Sequence, residues 1–142
     1  MYLHTQMGST ILLALGLAIA VLLIGVYASL LPQFVLIVVL GFAIALALFS
    51  RLTVRVDHEA LTLHFGIGLV HRRFPLAGVA DVQVVRSRWW HGWGIHWFGN
   101  GWLYNVSGLD AVQLSYGDGR AVRVGTDEPQ QLLGAIREAL QR

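Results

Sequence analysis

The first fifty residues contain no Asp, Glu, Lys or Arg; all eight acidic and ten basic residues of the 142-residue chain lie from Arg51 onward. A helix in water needs a polar face, and residues 11–49 have none to offer. The chain is therefore read as two materials, an apolar segment 1–50 and a domain 51–142 that carries every formal charge.

Thr10 to Leu30 runs for 21 residues without a charge, which at about 1.5 Å per residue matches the roughly 30 Å hydrocarbon core of a bilayer. Leu31-Pro32-Gln33 interrupts it, and Pro32 disfavours helix at the residue before it. Phe34 to Ser50 then supplies 17 more apolar residues, at the short end of the spanning range. The expectation is a transmembrane helical hairpin with spans at about 10–30 and 34–50. A cleaved signal peptide ending near Val26-Tyr27-Ala28 competes, but it lacks a basic leader and a second apolar run follows at once. A buried helical pair lacks a polar face, and a re-entrant pair is the third alternative. Arg51 and Arg55 follow the second span while the turn carries no charge, so the basic flank places the C-terminal domain, and the N-terminus with it, in the cytoplasm. Gly16 and Ala20 allow close helix approach, within the hairpin or to another protein.

All ten basic residues are Arg and the net charge is +2, too dilute for a nucleic-acid face. With no Cys there is no disulfide, thiolate nucleophile or cysteine-held metal.

From Arg51 the apolar period becomes two. Seven short antiparallel strands are expected, around 52–56, 61–65, 69–74, 80–86, 102–106, 112–116 and 120–124, with turns at Asp57-His58-Glu59, Gly66-Ile67-Gly68 and Gly117-Asp118-Gly119. Gly125-Thr126-Asp127-Glu128-Pro129 reads as a helix start, and Leu132, Leu133, Ile136 and Leu140 form one stripe of a helix over 127–141. A sheet this small has to close or be covered, and a terminal helix can plug an open end.

Strands followed by one amphipathic helix resemble the pleckstrin-homology-like fold. The whole chain is similar to bacterial membrane proteins in which a transmembrane hairpin precedes such a domain. Gly92-Trp93-Gly94-Ile95, Tyr104-Asn105-Val106-Ser107-Gly108 and Gly125-Thr126-Asp127-Glu128-Pro129 carry the likeness. It implies two nearly orthogonal sheets closed by a C-terminal helix, a small antiparallel barrel of about seven strands, in a multi-pass protein of the bacterial inner membrane. Phosphoinositide-binding members use a basic first hairpin loop, whereas Asp57-His58-Glu59 is acidic.

All five tryptophans fall between Trp89 and Trp102, among Gly92, Gly94, Gly99 and Gly101. Four readings stand: a membrane-interface loop; filling of the barrel, above all by Trp102 and Tyr104; docking onto a partner protein through Trp89, Trp90, Trp93, Trp97 and Phe98 with Arg86 and Arg88 beside them; or a small-molecule or pigment pocket with His91 or His96 as ligand. His91 and His96 fall short of the three or four ligands that a zinc site wants. Arg51, Arg55, Arg72 and Arg73 are candidate lipid-headgroup contacts. No nucleophile elbow, phosphate loop or zinc-binding helix appears, and the carboxylates are scattered. The expected function is thus a non-catalytic accessory subunit, with no cofactor and no nucleic-acid partner, docking onto a larger integral membrane protein complex such as a respiratory or photosynthetic one. A module reading membrane lipids is the alternative, and a small-molecule sensor the third.

Overall fold

The computed structural model describes residues 1–88 and 93–141. Strand β1 (Tyr2–Met7) leads into helix α1 (Ser9–Tyr27), and helix α2 (Val35–Phe49) leads into strand β2 (Arg51–Val56). β1 and β2 pair antiparallel from Tyr2↔Val56 to Met7↔Arg51. The Gly8 amide extends the ladder by donating to the Ser50 carbonyl at 2.8 Å. The helical hairpin is thus an insertion between two neighbouring strands of one sheet. Residues 2–7, expected to belong with the hairpin, belong to that sheet.

α1 and α2 pack side by side with no buried residue in either, and apolar side chains such as Leu13, Leu17, Ile24, Ile37 and Ile44 are more than half exposed. Among the described residues one helix, Ser9–Tyr27 with a mean hydropathy of 2.7, is long and apolar enough to cross a membrane. α2 has 15 residues, or about 22 Å of helix. It starts late because the turn around Pro32 extends through Phe34.

The remaining elements are β3 (Ala60–Phe65), β4 (Val70–Pro75), β5 (Val79–Arg86), β6 (Gly94–Trp97), β7 (Gly101–Asn105), β8 (Asp110–Tyr116), β9 (Ala121–Gly125) and α3 (Pro129–Leu140). The expected closed barrel is not formed. There are two sheets, one ordered β1-β2-β3-β4 and the other β5-β8-β9-β7-β6. Nor is the pairing wholly antiparallel. β7 lies beside β9, two reversals further along the chain, so the two run parallel. β6 also adds a strand within the segment expected to be an aromatic loop.

Alternation explains the core. Leu52, Val54 and Val56 of β2, Leu61, Leu63 and Phe65 of β3, and Val112, Leu114, Val122 and Val124 of the second sheet point into one shared core. Each such side chain contributes about 1.5–3 kcal/mol relative to exposure. α3 seals one side with Leu132 and Ile136, both fully buried. It begins at Pro129 rather than at residue 127 because the Thr126 hydroxyl takes up the Glu128 amide at 3.0 Å. Asp127 and Glu128 turn instead to β1: Asp127 Oδ1 lies 2.7 Å from His4 Nε2, and Tyr2 donates its hydroxyl to Glu128 Oε2 at 3.4 Å.

The hairpin leaves from one end of this sandwich, and both sheets meet it there. A Cβ on Gly66 would stand 2.1 Å from the Ala47 carbonyl oxygen, and its φ of +50° also favours glycine. Phe49 packs edge-on against Phe65 at 5.6 Å. From the second sheet's side, the Ser107 hydroxyl sits 3.0 and 3.2 Å from those of Ser9 and Thr10, and the Ser107 carbonyl accepts the Gln6 amide at 3.0 Å.

Candidate functional site

The register sorts the expected aromatic and basic residues to two opposite ends of the sandwich. β6 runs from Gly94, paired with Asn105 near the helix joint, to Trp97, paired with Trp102 at the far end. Those three steps cover about 10 Å. The single cluster of the sequence is therefore two sites. Trp89 and Trp90, with His91 and Gly92, lie outside the described residues.

At the joint, Trp93 is 39% exposed and lines a groove of about 390 Å³ with Ile11, Ala14, Leu15 and Phe49. The Trp93 carbonyl is bonded by His96 Nε2, which occupies one nitrogen of that ring. Arg51 adjoins the end of α2. Arg86, at the end of β5 opposite Asp110, is exposed near the same joint, and the exposed Arg88 follows two residues later. This end combines an apolar groove with an aromatic ring and cationic side chains, the combination suited to a bilayer–water boundary.

The other candidate headgroup arginines are elsewhere. Arg55 is four residues along β2 from Arg51, about 13 Å further from the helices. That exceeds a Debye length at physiological salt, about 8 Å. Arg73 faces the acidic turn and bonds Glu59 at 3.0 Å, and Arg72 is its exposed neighbour on β4. The structure does not bring these three together with Arg51.

At the far end, Trp97 and Trp102 meet edge to face at 5.4 Å and are 56% and 45% exposed. Phe98 faces away from them and is half-buried, its ring 4.1 Å beneath the Arg123 guanidinium. Gln113 holds that guanidinium by accepting from its Nε at 2.7 Å. Trp102 lies in a cavity of about 360 Å³ with Phe74, Asn100, Tyr116, Arg120 and Val122, where β4 comes near the starts of β7 and β9. Sequence spacing did not expose this cavity, because its walls come from four strands. Tyr104, expected in the core, is there, between Phe65 and Phe74, whereas Trp102, expected there with it, is left exposed because no element of the first sheet reaches over it.

Two phenols are shifted by their surroundings. Burial, then the charge of Glu128, pushes Tyr2 up to about 12. Burial raises Tyr116, whose hydroxyl donates to the Pro75 carbonyl at 3.0 Å and links the two sheets. The carboxylates of Asp57 and Asp118 are lowered chiefly by backbone amides of their own turns. Among the described residues no three His, Asp or Glu side chains converge as a metal site.

Comparisons of the chain with protein-family models, with curated proteins and with solved structures found no match.

Proposed function

We propose that this chain is a non-catalytic accessory subunit of the bacterial inner membrane, whose helical hairpin and cytoplasmic pleckstrin-homology-like domain dock together onto a larger integral membrane protein complex. The observation that carries the reading is the joint. The two apolar helices continue the β1–β2 ladder, and Gly66 brings a turn of the sheet against the α2 backbone. A domain so attached cannot swing on a linker, which suits a part that must present membrane and aqueous surfaces to one partner in fixed geometry. Two sheets with a C-terminal helix along one side support the pleckstrin-homology-like assignment without a closed barrel. The carboxylates support a non-catalytic role. Asp57 and Asp118 hold their own turns, while Asp127 and Glu128 anchor β1.

A second reading draws on Trp93, Arg51 and Arg86 at the joint: a lipid-interface module that binds anionic headgroups. Arg55, Arg72 and Arg73 lie away from that end, which leaves it fewer charges than the sequence promised.

Gentle detergent extraction from the native membrane, a native gel and mass spectrometry of the co-migrating chains separate the two. A subunit travels with one large complex in fixed ratio. Migration alone, with binding to anionic vesicles that weakens steeply as salt rises, would replace the first reading with the second.

A further inference from the structure

We propose that the cavity at the far end of the sandwich is a binding site for a small amphipathic anion, a carboxylate carried on a flat apolar body. The inference is independent of the docking role but rests on the proposed placement of the hairpin in a membrane.

Trp102 is the central observation. Its cross-strand row continues through Val122 and Leu114, which are 7% and 0% exposed, yet Trp102 itself is 45% exposed. The row belongs to the core and the core stops short of it, because the first sheet ends at β4 while α3 seals the opposite side. The space left is about 360 Å³, within the range of small-molecule sites. Its apolar surfaces are Trp102, Phe74, Pro75 and Val122, and Trp97 buttresses the Trp102 ring from behind. A flat ring against Trp102 would complete the row as a side chain does elsewhere.

The polar groups define the rest of the ligand. Arg73 and Arg120 line the cavity together with Asn100, and no carboxylate does. Asp118 engages Arg120 through Nε at 2.7 Å and Glu59 engages Arg73 through one Nη at 3.0 Å, so each guanidinium is steadied and keeps further N–H donors. The Tyr116 phenol, raised by burial and donating to Pro75, adds no negative charge. Cationic donors beside an aromatic wall select an anion with a flat apolar body. The cavity lies at the end opposite the hairpin and is reached from the aqueous side, which favours a water-soluble carboxylate over a lipid.

The test is equilibrium dialysis of naphthalene-2-carboxylate, with the neutral naphthalene-2-carboxamide beside it, against the full chain in nanodiscs and against empty nanodiscs. The expected result is saturable binding of one carboxylate per chain, with the amide weaker by about tenfold or more because a charge-assisted hydrogen bond is lost. Arg120→Gln and Trp102→Ala should each weaken the carboxylate about fivefold or more, and Trp93→Ala at the other end should leave it unchanged. Arg120 is 77% exposed on its side chain, so Arg120→Gln should melt like the wild type and keeps the test informative if Trp102→Ala misfolds. Equal binding of acid and amide, unaltered binding in Arg120→Gln, or loss in Trp93→Ala would each overturn the proposal.

Discussion

The two ends of the sandwich are built in opposite ways. At the helix joint, backbone meets backbone: Gly8 and Gly66 stand where any side chain would strike a carbonyl of residues 47–50. At the far end, Trp97 and Trp102 stand half exposed beside an open cavity. Both ends are rich in aromatic residues, so composition does not distinguish them. What differs is whether a second element covers them. The joint is closed by backbone packed on backbone, and the far end is left open.

On that contrast, substitutions at the joint cost most. Phe65→Ala removes the ring that touches both Phe49 and Tyr104, and should cost about 3–5 kcal/mol, read as loss of the folded baseline in thermal melts of the detergent-solubilised chain. Gly66→Ala comes next. Its Cβ collides with α2 and its φ is left-handed, so a loss of about 2–4 kcal/mol is expected, against less than about 0.5 kcal/mol for Gly117→Ala in the far turn. Equal melting points for these two variants would erase the distinction between the ends.

The smallest effect concerns the edge of β1. Tyr2 is raised to about 12 in the fold, above the value of about 10 for a free phenol. The neutral form is favoured by folding, so this contribution is complete below pH 10 and is lost as the pH rises from 10 to 12. Tyr2→Phe should therefore flatten the part of the alkaline destabilisation that falls in that window. A wild-type pH profile that Tyr2→Phe leaves unaltered would mean that the contact with Glu128 is not maintained.

Much of this architecture was legible in the sequence, for identifiable reasons. Strands with apolar residues at every second position, such as Leu52-Thr53-Val54-Arg55-Val56, fell where the period put them. β1 did not. Its inward positions include His4 and Gln6 while Leu3 and Met7 are exposed, so its alternation is inverted, and its partner lies more than forty residues away. β6 was hidden because Gly94-Ile95-His96-Trp97 looks like loop chemistry, and it becomes a strand only through pairing with β7. Individual site residues were visible, but their division between two ends was not, since it depends on the direction in which β6 crosses. The far cavity was invisible for the same reason: Phe74, Trp102, Tyr116 and Arg120 share no local spacing.

The insertion of the hairpin between β1 and β2 also sets an order of events during synthesis. Tyr2–Met7 are made before the two helices, yet their hydrogen-bonding partner, residues 51–56, follows only after them. For the first sheet to form, residues 2–7 and 51–56 have to end on the same side of the apolar segment that separates them. A chain in which residues 2–7 failed to pair would lose the edge of its first sheet, the His4 and Tyr2 contacts to Asp127 and Glu128 ahead of α3, and the Gln6 bond to Ser107 in one step. Without β1, β2 stays paired with β3 on one side only and becomes the open edge of the sheet, free to take up a strand from another chain.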